Sequence, residues 1–206
     1  MRVLLIETRK SIVEKYVNMF ISMGIEPTIL ETHVLSILRS LDITPEEPPT
    51  MVLNMGATNM DVAVVFKGEI QFVFTHTGVG ALLTKTLQQI LGLDLQQAEQ
   101  YKRSYGLDPN QFEGRVRNAL LPTVNTLVSE IQKAQRYFVS QFPQHKLSRI
   151  VVTGGSSQLP GLVEHISETL GIEILFAAPF ATATGEVPTE NQQTLSVCLG
   201  LLMREV

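Results

Sequence analysis

The chain has 206 residues and a formal charge of −4, and its acidic and basic residues are interspersed. This length suffices for one large domain or two small ones with a substantial core. The sequence contains no basic stripe and no alternation of basic with aromatic residues, so it excludes nucleic acid as an expected partner.

The composition predicts a cytoplasmic protein without direct membrane insertion. The single cysteine, Cys198, cannot form an internal disulfide. No apolar run approaches the roughly 20 residues that a membrane-spanning helix needs. The N-terminal run is too short in its apolar part, and too soon charged, to be a signal peptide.

The first 45 residues predict a strand, a helix, a second strand and a second helix. We expect a buried strand at Val3–Ile6, a helix capped by Ser11 and ended by Gly24, and a strand at Ile25–Ile29. A core strand so close to the initiator Met predicts a fragment or a shortened form of a longer protein. The apolar positions of the two helices are Ile12, Tyr16, Met19, Phe20 and Met23, then Val34, Leu35, Leu38 and Leu41.

An acidic, proline-rich stretch follows at 45–49 and is the predicted domain boundary. It divides the chain into residues 1–45 and 46–206. Three strands are then expected at Met51–Met55, Met60–Lys67 and Glu69–Thr75, with Lys67 and Gly68 as the hairpin turn. A helix follows with one apolar face, formed by Leu83, Leu87, Ile90 and Leu91.

Two further helices are predicted, a short one at Gln96–Arg103 and a long one at Gln111–Phe142. Pro122 should kink the long helix or begin a new one. The last third alternates between strands at Ile150–Thr153 and Ile172–Phe176 and helices, the first of which starts near Pro160. The final helix is apolar on all sides, so we expect it to pack in the core. This order predicts an α/β fold with a mixed sheet and helices on both faces.

Two glycine turns are candidates for ligand contact. The turn at Met55–Thr58 joins two strands, and a turn of successive backbone N–H groups with a hydroxyl can hold phosphate oxygens. Equally, an apolar hairpin with Gly in its turn is often only a hairpin. The turn at 154–157 lies between a strand and a helix, where glycines permit the close approach of a ligand and the helix N-terminus favours negative charge. Equally, such a turn can serve only to connect the strand to the helix.

Glu99 and Lys102 lie three residues apart and project from the same side of a helix. They form either a solvated ion pair or a carboxylate and an ammonium offered together to the hydroxyls of a ribose. Nothing local decides between these readings.

Catalytic and metal-binding signals are missing. The four histidines are scattered, with no HxxxH or HExxH spacing, so no metal site is predicted. No GxSxG elbow and no GxxxxGK[ST] loop is present, which leaves serine hydrolases and P-loop enzymes without support. We therefore predict no catalytic residue.

Taken in order, several segments resemble the actin-like ATPase superfamily, whose fold is ribonuclease H-like, and within it the type IV pilus assembly family PilM. These segments are NMGATNMDVAVV, GVGALLTKTL, QQAEQYKRSYGL, RIVVTGGSSQLPGL, EILFAAPF and LSVCLGLLMR. No single motif is specific, but the ordered set is, and the similarity covers nearly the whole chain.

The resemblance implies an ATP site, with Mg²⁺, that is weak or absent. Gly56, Ala57 and Thr58 match the second phosphate loop, and Glu99 with Lys102 matches the pair facing the nucleoside. Gly154, Gly155 and Ser156 match the adenosine motif. Residues 46–92 and 148–206 would form a large subdomain, with a small helical subdomain, 93–147, inserted into it.

Two departures limit this site. The family's first phosphate loop, which lies upstream, has no counterpart here, so half of the cleft is expected to be absent. Where the family usually has an acidic residue that helps to hold Mg²⁺, this chain has Asn54, whose amide oxygen is a poorer ligand.

The resemblance further implies a cytoplasmic scaffold that binds the N-terminal tail of a PilN-like inner-membrane protein and other pilus assembly proteins, and so lies peripheral to the inner membrane. One alternative is an active, kinase-like ATP-dependent enzyme, which needs an Asp base; Asp61 is expected to face solvent instead. A third is a filament-forming homologue like the cell-division family FtsA.

Overall fold

A computed structural model describes residues 4–205 of the chain. The strands are β1 (Thr50–Met55), β2 (Asn59–Phe66), β3 (Glu69–Thr77), β4 (Arg149–Thr153) and β5 (Glu173–Phe176). The α-helices are α1 (Lys10–Ser22), α2 (His33–Leu41), α3 (Val79–Leu91), α4 (Leu95–Tyr105), α5 (Arg115–Gln141), α6 (Leu162–Leu170) and α7 (Ser196–Leu202).

The five strands form one mixed sheet in the order β3-β2-β1-β4-β5. The first three strands are antiparallel neighbours, whereas β4 lies parallel to β1, and β5 lies parallel to β4. In register, Asn54 pairs with Asp61 on one side and with Thr153 on the other. Because β1 and β4 are parallel neighbours, the two glycine turns that follow them lie side by side at the same end of the strands. The predicted mixed α/β sheet is confirmed.

Helices cover both faces of the sheet, as predicted. The larger core lies between one face and helices α3 to α6, and its fully buried members include Leu53, Leu87, Leu120 and Phe138. On the opposite face, Val34 and Ile37 of α2 pack against Val52, Ala63 and Val151. Alternate residues along β1 thus point into different cores, as the period of a strand requires.

Helices α2 and α7 cross at very short range. A Cβ added at Gly200 would lie 1.7 Å from the carbonyl oxygen of Ser36, so only glycine permits this crossing. Arg39 Nη1 donates to the Gly200 carbonyl oxygen at 2.6 Å and to Glu31 Oε1 at 2.8 Å. Hydrogen bonds from Arg39, Ser36 and Arg204 outweigh the effect of burial and lower the pKa of Glu31 to about 2.

The two strands expected before residue 30 are wrong. Residues 4–6 belong to no strand, and Leu5 is 84% exposed; Val3 lies outside the described residues. Residues 25–29 also form no strand. Helix α1 is present, but its N-cap is Arg9 without a side-chain hydrogen bond, and none of its residues is buried. A short apolar run forms a strand only where a neighbouring strand pairs with it.

One of the two alternatives predicted for Pro122 is excluded, and the expectation for the final helix is wrong. Helix α5 runs through Pro122 as one α-helix, so no new helix begins there, and a 3₁₀ turn at Phe112–Gly114 precedes it. Helix α7 buries only Ser196 and Gly200, while Leu202 is 82% exposed. Because α7 rests on α2 through a glycine contact, its outer apolar residues do not reach the core.

None of the helices within residues 4–205 combines the length with the apolar character that crossing a membrane requires. The division at residue 45 and the inserted subdomain 93–147 remain predictions.

Candidate functional site

The two glycine turns predicted to bind a ligand lie in contact with each other. Ser156 Oγ donates a hydrogen bond to the carbonyl oxygen of Gly56 at 3.0 Å, across a separation of 100 residues. Ser156 therefore links the turn after β1 to the turn after β4. This contact follows directly from the parallel pairing of the two strands.

The turn at 56–58 is also tied to the start of α3. The backbone N–H of Ala81 donates to the Ala57 carbonyl oxygen at 2.8 Å, and that of Gly78 donates to the Thr58 carbonyl oxygen. With Ser156, these bonds occupy the carbonyl oxygens of all three turn residues. Hydrogen bonds to its three carbonyl oxygens thus hold the turn in place.

Glycines at this junction permit close packing. A Cβ on Gly80 would lie 2.8 Å from Ser156 Oγ and 2.9 Å from the Cα of Ala57. Gly154 has φ 85°, and a Cβ there would meet the Met55 carbonyl oxygen at 2.6 Å. These two glycines serve the packing of the turns.

Gly155 differs, because a Cβ there would meet only Thr194 Cγ2, at 3.9 Å. The space in front of this residue is open and belongs to the cavity described next. Of the two glycines that line this cavity, Gly80 and Gly155, Gly155 is therefore the one placed to let a ligand approach the backbone.

A cavity of about 730 Å³ opens between these turns, the first turns of α3 and the helix α4. Its size lies within the range of small-molecule sites. Its lining includes the predicted residues Ala57, Glu99, Lys102, Gly155 and Ser156, together with Gly80, Ala81, Leu83, Thr84, Leu95, Arg103, Gln158, Leu159, Asn191 and Thr194.

Lys102 and Glu99 line this cavity as a tightly bonded pair. Lys102 Nζ donates to Glu99 Oε2 at 2.6 Å, to Thr84 Oγ1 at 2.8 Å and to the Gly80 carbonyl oxygen at 3.3 Å. An ammonium has three N–H donors, so these acceptors use all of them. The Lys102 side chain is only 10% exposed, which rules out the purely solvated ion pair.

Glu99 is held ionised by its donors. Burial raises its pKa, but hydrogen bonds from Lys102, Thr84 and Arg103 outweigh this effect and lower the pKa to about 2. Arg103 Nε reaches Glu99 Oε1 at 2.9 Å, and its side chain is 78% exposed. Carboxylate oxygens of this kind are suitable acceptors for ligand hydroxyls.

Asp61 is buried, so the expectation that it faces solvent is wrong. It is 1% exposed, because its neighbours in the sheet and the N-terminus of α2 enclose it. Its carboxylate accepts hydrogen bonds from Thr75 Oγ1 at 2.8 Å and Asn54 Nδ2 at 2.9 Å, and contacts His33 Nε2 at 2.5 Å. Sequence reasoning missed this cluster, because its members come from four different elements.

The same cluster explains what Asn54 does. Its amide nitrogen is engaged by Asp61, and its Oδ1 lies against Gly154, where an added Cβ would approach to 2.7 Å. Burial raises the pKa of Asp61, and the hydrogen bonds from His33, Thr75 and Asn54 outweigh it and lower the pKa. The bond to Asp61 in turn raises the pKa of His33.

Metal ligands are not assembled anywhere in the described part of the chain. Among residues 4–205, no three His, Cys, Asp or Glu side chains are grouped so that they could hold an ion. The lining of the cavity offers one carboxylate, Glu99, and this group is already paired with Lys102 and Arg103.

Comparison with known proteins decides the family. The family model described as type IV pilus assembly protein PilM matches residues 1–206. The chain belongs to the PilM family.

The PilM-family chain is also similar to cell-division proteins. FtsA of Streptococcus pneumoniae is 26% identical over 145 residues, which cover 62% of this chain and 32% of FtsA. FtsA of Neisseria meningitidis is 27% identical over 154 residues, which cover 62% of this chain and 36% of FtsA. The chain thus spans about a third of the length of these relatives.

Solved structures share the fold over nearly all of the chain. A PilM-PilN type IV pilus biogenesis complex matches with a TM-score of 0.76 and 23% identity, over 92% of this chain and 56% of that one. MreB5 of Spiroplasma citri bound to AMPPNP gives 0.70 and 14%, over 95% and 64%. The ethanolamine utilization protein EutJ of Carboxydothermus hydrogenoformans gives 0.69 and 20%, over 94% and 61%. These similarities establish the actin-like fold.

Proposed function

We propose that this PilM-family chain is a scaffold of type IV pilus assembly that binds the N-terminal tail of a PilN-like inner-membrane protein and other pilus assembly proteins. It would lie in the cytoplasm, peripheral to the inner membrane through these partners. The match of the PilM family model to the full chain is the observation that carries this proposal. The solved complex of PilM with PilN supports the choice of partner.

We further propose that the cavity binds ATP weakly and does not turn it over. The bound nucleotide would supply a phosphate anhydride and a site for Mg²⁺. Gly155 and Ser156 would contact the adenosine, Glu99, held in position by Lys102, would contact the ribose, and the turn at 56–58 the phosphates. The open approach at Gly155 supports this assignment, since a Cβ there would enter free space.

The charge of the cavity argues for weak binding. The three N–H groups of Lys102 are already bonded to protein acceptors, and Arg103 Nε is bonded to Glu99. Both cations face the Glu99 carboxylate, which offsets part of the positive charge that they would offer to a triphosphate. Turnover requires a metal-binding carboxylate and a positioned base, whereas Asn54 is neutral and Asp61 is enclosed by three partners.

Calorimetric titration with ATP and Mg²⁺ tests the nucleotide half of this proposal. The wild-type chain should give a weak, saturable signal that Gly155→Asp abolishes, because the new carboxylate would enter the part of the cavity proposed for the adenosine. Gln144→Asp adds the same charge at an exposed turn and should leave binding unchanged. No detectable heat with wild type would contradict the proposed nucleotide binding and leave only the interaction scaffold. Steady release of phosphate would contradict the proposed absence of turnover.

A further inference from the structure

Strand β3 forms one edge of the sheet, and little in its sequence shields that edge. Within residues 4–205 it pairs only with β2. Over Glu69–Thr77 it contains no Lys, Arg or Pro, and Glu69, its one acidic residue, stands at its start. Edge strands that lack such protective residues are ready to pair with another chain.

The apolar surface of the sheet continues to this open edge. Phe74 is 42% exposed and Tyr137 is 45% exposed, and their ring centroids lie 5.9 Å apart. Phe72 joins them, with centroid distances of 5.1 Å to Phe74 and 4.9 Å to Tyr137. An aromatic cluster of three rings therefore stands at the rim of the sheet, under α5.

The regular part of β3 fixes where a second strand can pair. The register with β2 shifts between Val64 and Val65, so the even pairing extends from Phe72 onward. Phe72, Phe74 and His76 point to the face covered by α5, because the two rings contact Tyr137 and His76 Nε2 lies 3.0 Å from Glu130 Oε2. A partner strand that keeps this face apolar must place aromatic or neutral residues opposite them.

We infer that the edge of β3 pairs with the β3 edge of a second copy of this chain, antiparallel and centred on Phe74. In this arrangement Phe74 faces the Phe74 of the second copy, Val73 faces its Thr75, and Phe72 faces its His76. The pairing is self-complementary, as a two-fold interface requires. No like charges stand opposite each other, and aromatic pairs of this kind stabilise antiparallel strands.

The same pairing of the two β3 strands also accommodates the helix α5 that covers each sheet. A two-fold axis through Phe74, perpendicular to the sheet, joins the two five-stranded sheets into one and keeps both copies of α5 on the same face. The Tyr137 rings then flank the central Phe pair. Glu130 is already paired with Lys133 of its own chain, so its charge is balanced when the two edges meet.

Charge reversal at the symmetric centre tests both the surface and its register. The mass in solution of wild type, Phe74→Lys and Phe74→Glu chains would be measured by sedimentation equilibrium. Wild type should form dimers of the 22.8 kDa chain. Each variant alone should show a dissociation constant raised about tenfold or more, because like charges would face each other at the centre. An equimolar mixture should regain the dimer, since Lys then faces Glu.

Controls separate this surface from other exposed apolar residues. Leu202→Lys changes a side chain on α7 that is 82% exposed and should dimerise like wild type. Circular dichroism and thermal melting would establish that the Phe74 variants are folded. A wild-type chain that is monomeric at all concentrations, or a dimer that survives both single charges and is lost in Leu202→Lys, would overturn the inference. So would protection of the β3 edge amides that appears only when an extended partner peptide is added.

Discussion

Lys102 is the side chain on which the candidate site is built. It is nearly buried, and its ammonium joins α4 to the first turns of α3 through Thr84 and the Gly80 carbonyl oxygen. A charge in such a place is stable only because each of its donors has an acceptor. Its role in this structure is therefore to hold Glu99 and the wall of the cavity in position.

Replacing Lys102 with Met should destabilise the fold by about 1–3 kcal/mol, because Glu99 and Thr84 lose a partly buried donor while the packing volume is kept. Urea unfolding measures this change. Lys133→Met removes a similar i,i+3 pair with Glu130, but the Lys133 side chain is 62% exposed, so its effect should stay within about 0.5 kcal/mol. Equal effects of the two substitutions would contradict a structural role that is special to Lys102.

The His33–Asp61 pair should make stability depend on pH. The raised pKa of His33 means that its contribution is complete below the unfolded value of 6.5 and is lost as pH rises through the folded pKa. The lowered pKa of Asp61 means that its contribution is complete above the unfolded value of 3.8 and is lost as pH falls through the folded pKa. The pair thus stabilises most between the two values.

We expect the stability difference between wild type and His33→Gln to be largest near about pH 5 and to shrink toward about pH 8. Unfolding in urea at several pH values measures this difference. His145→Gln changes an exposed histidine without an acidic partner in the described structure and should show no such trend. A difference that grows with pH would contradict the pairing.

Some of the residues that meet at the cavity could be predicted from the sequence, and the cluster around Asp61 could not. Gly155, Ser156, Glu99 and Lys102 were marked by local motifs, and the structure brings all four to one cavity. Asp61 carried no local signal, because its burial depends on α2 and on two neighbouring strands. The engagement of Asn54 by Asp61 follows from strand register, which the pattern of residues alone does not specify.

At the scale of elements, the close crossing of α2 and α7 depends on the absence of a side chain at Gly200. Gly200→Ala should destabilise the fold by about 1–3 kcal/mol or more, because the new methyl group would overlap the backbone of Ser36 and force the helices apart. Urea unfolding measures the loss. Leu201→Ala, at a neighbouring residue that is 51% exposed, is the matched control and should cost less than about 0.5 kcal/mol. A neutral Gly200→Ala would disprove the close crossing.

The elements themselves were predictable where periodicity and turn residues agreed. The hairpin at Lys67 and Gly68 and the helices α3 to α6 followed from such agreement. The expected strands at 3–6 and 25–29 were wrong, because strand propensity says nothing about whether a pairing edge is available. Helix α7 was misjudged for a related reason: its apolar outer side is exposed because its contact with α2 runs through Gly200.

At the scale of the whole molecule, the order of the motifs predicted the family and the actin-like fold better than any single motif could. Each glycine turn was ambiguous alone, yet parallel pairing of β1 and β4 sets both turns at one cavity. Sequence could not indicate that Glu99 pairs with both Lys102 and Arg103 at that cavity, since these contacts are a property of the folded side chains. Because this pairing offsets part of the positive charge beside the cavity, we place interaction before nucleotide chemistry.

The central claim is that this PilM-family chain is an interaction scaffold, and direct titration with its proposed partner tests it. A synthetic peptide of the N-terminal tail of the PilN-like protein from the same organism would be titrated into the chain and followed by calorimetry. We predict saturable binding with one site per chain, and none with a peptide of the same composition in scrambled order. Equal heats from the two peptides, or none from either, would contradict the scaffold function.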